Sequence, residues 1–223
     1  MTDLTPYPDS RERVIDFLTT YLEKVTKEND VDRPGTRLQE RESVFDMITK
    51  PRYAARAFVT RLPSRLPDCG ARSFVVAYIY LSRFLRRQRD TITLDSFNVR
   101  RLLLTSLLTA TKFELGFGYN NSLFARIGRI KLKDMNNMES AFLDGIDFHR
   151  TVRGCDFDNF WMLLYYYHEF TTTGNLEIAQ LIPSASAPSN TEISQPISSA
   201  IAPTATLVLP CCIYVGAACN CSE

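Results

Sequence analysis

The sequence predicts an all-α fold from three observations. Apolar residues recur at steps of three and four from about residue 10 to residue 170, which is the spacing of one helix face. No stretch shows sustained strand alternation between hairpin turns. At 223 residues, with 45% hydrophobic and 23% charged side chains, the chain is long and apolar enough for one domain with a real core.

The predicted helices follow one another with short connections. The first covers about residues 10–28 and ends before the Pro34-Gly35 pair. Five further helices and then an aromatic-rich sixth are predicted at about 51–62, 71–87, from after Asp95 to Phe113, 121–127, 132–146 and 157–170.

Two of these elements carry specific expectations. The helix at 71–87 is apolar almost all the way round, which predicts a place in the middle of a bundle. The arginines at its end, Arg86, Arg87 and Arg89, are interpreted as complementing the helix dipole, in preference to a nuclear import signal. Thr93 and Asp95 are the capping candidates for the next helix.

The charge is distributed unevenly along the chain, although its formal net value is only +1. Residues 1–50 carry 8 basic and 11 acidic side chains, residues 51–155 carry 18 and 8, and residues 156–223 carry 0 and 6. The middle of the chain therefore has a net charge of +10. The near-neutral total does not favour an obligate nucleic-acid coat protein.

The two ends of the chain indicate the cellular compartment of the protein. The N-terminus, MTDLTPYPDS, lacks a secretory signal, so an intracellular protein of the nucleus and/or cytoplasm with reduced thiols is predicted. Residues 171–223 are predicted to form a low-complexity, disordered, Cys-rich tail, and prolines argue against a membrane span in its uncharged part. A flexible tail is favoured over an all-thiolate zinc site or acylation at its four cysteines, Cys211, Cys212, Cys219 and Cys221.

Sequence motifs for catalysis are absent. The chain has no dinucleotide-binding or Walker glycine pattern, no H-E-x-x-H and no G-x-S-x-G, and it has only two histidines. No catalytic residue, metal or cofactor is therefore predicted, and a binding protein is expected in place of an enzyme.

Two segments resemble the cyclin box. FVVAYIYLSRFLRR resembles its second helix, with the characteristic Arg-Phe dipeptide at Arg83-Phe84, and residues 98–148 resemble its third to fifth helices. The ordered cues N-V-x-R-L-L, A-x-K-F, A-R-I-G and L-x-x-M-N-x-M-E are similar to those of the P/U-type cyclins, the phosphate-pathway group. The resemblance implies a single cyclin box of five helices within residues 38–170, preceded by an N-terminal helix and linker at 1–37.

The resemblance also implies a function. It indicates a regulatory subunit that binds and activates a cyclin-dependent-like Ser/Thr kinase by positioning the kinase's regulatory helix. The positions that match the backbone-binding pair of cyclins are Lys112 and Glu139, and the matching apolar neighbours are Phe113, Leu143 and Phe148. Both charges are expected at the rim of an apolar patch, where they would fix register.

The sequence departs from the cyclin pattern in places. Many cyclins have Asp before the Arg-Phe dipeptide, paired with an Arg of the first helix, whereas this chain has Ser82, with Arg52 and Arg56 available. The segment P-R-Y-A-A-R-A-F matches the M-R-A-I-L substrate-docking pattern poorly, so that docking mode is not predicted. The chain also lacks room for a complete second box.

Other functions are compatible with the basic middle. One is a kinase-independent cyclin-fold scaffold that binds transcription or nucleic-acid machinery. Another, which is favoured, is a basic surface near Arg100 or Arg101 that recruits acidic or phosphorylated partners to the kinase. The sequence leaves open whether the role is in the cell cycle or in nutrient signalling, and which kinase is the partner.

Overall fold

The all-α prediction is confirmed. The computed structural model describes residues 11–31, 43–48, 55–116 and 118–173. These residues contain eight helices and no strand: α1 Arg11–Val31, α2 Ala55–Val59, α3 Leu62–Arg65, α4 Ala71–Arg87, α5 Val99–Leu115, α6 Asn121–Gly128, α7 Leu132–Gly145 and α8 Gly154–Thr173. Residues 171–173, which were predicted to begin the tail, belong to α8. The rest of the predicted tail, with its cysteine cluster, lies outside the described residues.

Helices α4 and α5 form the central pair of the bundle. The prediction that α4 is surrounded is confirmed, since eleven of its 17 residues are buried. Helices α6 and α7 pack on one side of α5, and α1 and α8 pack against α4. None of the helices described is both long and apolar enough to cross a membrane.

An aromatic cluster joins α1, α4 and α8. The ring of Phe17 lies 5.8 Å from that of Tyr78 and 5.5 Å from that of Phe160, both edge to face. Such pairs add to the hydrophobic contribution of burying the rings. Helix α1 therefore shares one core with the rest of the bundle, and the predicted domain boundary near residue 38 stays a prediction.

The segment predicted as one helix at about 51–62 contains two short helices, α2 and α3, with a turn at residues 60–61. Its first four residues, including Arg52, lie outside the described ranges. Pro63 explains the break, because proline has no N–H to donate to the carbonyl four residues earlier. Proline is tolerated in a first turn, which is where α3 places it.

Asp95 acts before α5 and does not cap the helix directly. Its Oδ1 accepts hydrogen bonds from the N–H groups of Phe97 and Asn98, at 2.9 and 3.2 Å, and α5 begins at the next residue. Arg101 in the first turn donates from Nη1 to the carbonyl oxygens of Val44 and Asp46, at 3.1 and 2.9 Å. Arg101 thus holds segment 43–48 against α5.

A buried ion pair fixes the start of α8. Arg83 Nη2 lies 2.8 Å from Asp156 Oδ2, and Arg83 Nη1 donates to the carbonyl oxygens of His149 and Thr151. Of the two arginines available to pair near Ser82, Arg56 bonds Glu23 of α1 instead, with an Nε–Oε2 distance of 3.0 Å at the surface. The Arg of the Arg-Phe dipeptide therefore makes the buried ion pair.

Candidate functional site

The structure brings Lys112 and Glu139 into direct contact. Lys112 Nζ lies 2.7 Å from Glu139 Oε1 and 2.9 Å from Oε2, so the ammonium group bridges both carboxylate oxygens. The side chain of Lys112 is 36% exposed and that of Glu139 is 17% exposed. The pair therefore lies at the boundary between the core and solvent, where charge-assisted hydrogen bonds are stronger than in water.

Local helix chemistry explains where the two charges lie. Lys112 belongs to the last turn of α5, where a cation interacts favourably with the carboxyl-terminal end of the helix dipole. Glu139 projects from the middle of α7, one residue after the buried Met138 and three before the buried Phe142. Because α7 packs on α5, the edge of its apolar face carries Glu139 to Lys112.

Asn121, a residue that the sequence analysis missed, holds the other side of Glu139. Its Nδ2 donates to Glu139 Oε2 at 2.7 Å and to Asn136 Oδ1 at 2.8 Å. Asn120 caps α6 by accepting from the N–H of Leu123 at 3.0 Å, which fixes the start of α6 and hence the position of Asn121. Glu139 is thus held by α5 and α6 together.

Exposed aromatic side chains lie beside the ion pair. Phe113 follows Lys112 directly and is 50% exposed, with the guanidinium carbon of Arg150 5.5 Å from its ring centroid. Phe148, two residues before Arg150, is 60% exposed. Leu143 is partly buried and lies one turn after Glu139 on α7. The contact between Arg150 and Phe113 therefore brings the segment after α7, which carries Phe148, to the end of α5 that carries Lys112.

The backbone after α7 is strained in a way that presents Phe148. Asp147 and Phe148 have φ angles of 55° and 52°, in the left-handed region that costs about 1–2 kcal/mol for a residue with a Cβ. The turn is held by hydrogen bonds, including one from the Phe148 N–H to the Leu143 carbonyl at 2.8 Å. A bulky aromatic residue is uncommon at such a φ, and strain of this kind is concentrated at functional sites.

The end of α7 that supports this turn is closely packed. Phe84 stacks on Phe142 with ring centroids 4.9 Å apart, and it also lies against Gly145. A Cβ at Gly145 would collide with the Phe84 ring, so the close approach requires glycine there.

The hydrogen-bonding capacity of the ion pair is incompletely used. Glu139 has about four acceptor positions, and it accepts hydrogen bonds from Lys112 and Asn121. The Lys112 ammonium has three N–H donors, and its two hydrogen bonds both go to Glu139. The pair therefore offers both a donor and an acceptor at its exposed rim. Within the ranges that the structure describes, no group of three or more His, Cys, Asp or Glu side chains is arranged to hold a metal.

Comparison with known proteins shows which family the chain belongs to. The cyclin family model matches residues 12–150. Cyclin-P4-1 of Oryza sativa subsp. japonica is 41% identical over 155 residues, which cover 68% of this chain and 72% of the relative. The chain belongs to the cyclin family. Cyclin-U4-1 of Arabidopsis thaliana is 36% identical over 157 residues, covering 70% of this cyclin and 77% of the relative.

A fungal relative extends the comparison. The PHO85 cyclin-like protein psl1 of Schizosaccharomyces pombe is 27% identical over 152 residues, covering 63% of this cyclin and 61% of the relative. Together with the plant relatives it confirms the predicted P/U-type group. The matched family segment includes the ion pair, Asn121 and the turn at Phe148.

Proposed function

We propose that this cyclin is the regulatory subunit of a heterodimer with a cyclin-dependent-like Ser/Thr protein kinase, and that it activates that kinase. The observation that carries the proposal is the Lys112–Glu139 pair, at 2.7 and 2.9 Å, beside the exposed rings of Phe113 and Phe148. A donor and an acceptor that are side by side suit the C=O and N–H groups of another chain's backbone. The aromatic rings would supply most of the contact energy, as anchors at protein interfaces do.

Activation would follow from selective binding. A kinase is active only when the Lys–Glu ion pair between its β3 strand and its regulatory helix is assembled, and that depends on where the helix lies. A surface that binds only the inward position of this helix shifts the kinase population towards the active state. The name of the fungal relative supports a PHO85-type kinase as the class of partner.

The experiment compares kinase capture by the wild-type chain and by the Lys112→Ala/Glu139→Ala variant. Truncating a hydrogen-bonded charge pair at an interface typically costs at least 2 kcal/mol, so we expect at least about a thirtyfold loss of kinase affinity. The matched control is Lys24→Ala/Glu28→Ala, which removes an exposed pair on α1 whose Nζ–Oε1 distance is 3.9 Å. Undiminished kinase binding by the first variant would contradict the proposed interface.

Activation is measured separately from binding. The captured kinase is assayed alone and with saturating wild-type cyclin, and we expect phosphorylation of a peptide substrate to rise only in the second case. A kinase that binds the cyclin tightly but is not stimulated by it would support a scaffold function and contradict activation.

A further inference from the structure

One face of α7 runs without interruption from the proposed kinase surface to the start of the helix. Leu132, Asn136, Glu139 and Leu143 follow one another at steps of four, three and four residues, which places them on this face. All four are at least partly open to solvent, and Leu132 is 48% exposed although it is a large apolar residue. Leu132 lies about 10 Å from Glu139 along the helix axis.

The segment that joins α6 to α7 carries four cations next to this exposed leucine. Residues 126–133 read R-I-G-R-I-K-L-K and are called the basic turn here. All four cationic side chains are exposed, namely Arg126, Arg129, Lys131 and Lys133. Among the residues that the structure describes, none of the four has a carboxylate partner. The basic turn therefore presents positive charge that the fold does not neutralise.

Backbone hydrogen bonds fix the conformation of the basic turn. The Arg129 N–H donates to the Arg126 carbonyl at 3.2 Å, and the Ile130 N–H donates to the Ala125 carbonyl at 3.0 Å. The side chain of Ile130 packs against the core, whereas its neighbours Arg129 and Lys131 are exposed. A partner therefore meets charges whose backbone is already ordered, which lowers the entropic cost of association.

The two lysines lie where a helix is stabilised by the opposite charge. Lys131 directly precedes the first turn of α7, and Lys133 lies within that turn, together with one acidic residue, Asp134. The amino-terminal end of a helix carries a partial positive charge, so cations there oppose the helix dipole. The lysines therefore do not serve the stability of α7. Local conflicts of this kind are expected at functional sites, which indicates that the lysines are used in binding.

We propose that the basic turn, with Leu132, forms one end of the kinase-binding surface and selects a kinase that carries acidic side chains beside an apolar contact. This inference rests on the proposed function. A standard interface covers about 800 Å² on each partner, which corresponds to a patch about 30 Å across. The face of α7 from Leu132 to Leu143 is about 16 Å long, so one such patch holds it together with the Lys112–Glu139 pair.

The chemistry of the basic turn suits an acidic protein surface better than a nucleic acid. Its apolar residues, Ile127, Ile130 and Leu132, are all aliphatic, whereas proteins that bind single strands stack the bases on aromatic rings. The exposed Leu132 can instead pack against an apolar side chain of a protein partner. Cations at the rim of an interface act mainly by attracting the partner during encounter. The basic turn is therefore expected to raise the rate at which the kinase binds.

The test measures how fast the purified kinase, obtained by capture on the wild-type chain, binds the full-length cyclin at low and at high salt. Lys131→Glu/Lys133→Glu should slow association about tenfold at low salt and reduce its dependence on salt. Leu132→Ala should weaken the complex about fivefold through faster dissociation, because it removes the burial of about half a leucine side chain. The matched control, Lys24→Glu/Lys27→Glu, changes the net charge equally at exposed lysines of α1 and should alter association less than about twofold.

Thermal unfolding of the free chain distinguishes a binding role of the lysines from a structural one. Lys131→Glu/Lys133→Glu replaces two cations by anions that the helix dipole favours, so we expect the melting temperature to rise by about 2–4 °C. A structural role would make the melting temperature fall, and that result would overturn the proposal.

Three results of the binding experiment would also overturn the proposal. They are association that the charge reversal leaves unchanged, an equal effect of the control variant, and a single-stranded oligonucleotide that competes with the kinase for the basic turn. If Lys112→Ala/Glu139→Ala loses the kinase while Lys131→Glu/Lys133→Glu binds it as the wild type does, only this inference fails. If the wild-type chain binds no kinase, the proposed function fails and this inference fails with it.

Discussion

Replacing Asn121 with alanine is expected to destabilise the isolated chain by about 1 kcal/mol. The variant loses the 2.7 Å hydrogen bond from Nδ2 to Glu139, and bonds to charged groups contribute about 1.5–3 kcal/mol. Part of this loss is offset, because Asn121 Oδ1 is buried without a hydrogen-bond partner in the described structure, and its removal relieves a desolvation cost. Lys112 still holds Glu139, which limits the damage.

A double-mutant cycle isolates the Asn121–Glu139 contact from these offsets. Urea unfolding is measured for the wild type, Asn121→Ala, Glu139→Gln and the double variant. The expected coupling free energy is about 1.5 kcal/mol, the lower end of the range for a charged hydrogen bond, because Lys112 shares the same carboxylate. Asn136→Ala is the control, since it removes the other bond of Asn121 on the exposed side without touching Glu139.

The measured coupling free energy tells whether Asn121 holds Glu139 in position or only lies next to it. A coupling below about 0.5 kcal/mol is within the error of additivity and would refute the view that Asn121 fixes Glu139. With the partner kinase in hand, Asn121→Ala should also weaken kinase binding several-fold, because a carboxylate free to change rotamer must be ordered on association. Asn136→Ala should bind the kinase as the wild type does.

Three further variants test the supporting structure. Gly145→Ala should lower the free energy of unfolding by about 1–3 kcal/mol through its collision with Phe84, and wild-type stability in urea unfolding would contradict the packing. Arg83→Met should cost about 3–5 kcal/mol because the buried Asp156 loses its ion pair with Arg83, although it keeps the hydrogen bond from the Arg153 N–H, and a thermal unfolding curve like that of the wild type would refute this. Phe148→Gly should raise the free energy of unfolding by about 0.5–1 kcal/mol by relieving strain, yet reduce kinase binding at least about fivefold; a less stable variant that binds normally would contradict both expectations.

Helical periodicity predicted most of the fold because burial of one face is what determines these helices. The boundaries of α4, at residues 71 and 87, coincide with the predicted ones, since the apolar run ends where the arginines begin. The segment at 51–62 differs because Pro63 interrupts the hydrogen bonding of an otherwise acceptable apolar pattern. Periodicity reports which face is apolar, whereas a single missing donor decides whether the helix continues.

The candidate site was accessible from the sequence only in part. Lys112 and Glu139 were named because the surrounding blocks resemble the cyclin box. Asn121 was not, since Asn at the start of a helix is usually a cap, and its partner Glu139 lies 18 residues further along the chain. Only the packing of α6 on α7 turns a capping-type residue into one that holds a carboxylate.

The net charge of +10 in residues 51–155 has two components that the sequence does not distinguish. Arg83 and Arg101 are bound inside the molecule, where they join α8 and segment 43–48 to the bundle. Arg100, next to Arg101, lies instead on the ring of Phe58, with its guanidinium carbon 4.8 Å from the ring centroid. Adjacent arginines on a helix project about 100° apart, so one holds the fold while the other adds to a basic surface. The basic middle is therefore only partly available to a partner, because Arg83 and Arg101 already hold the fold together.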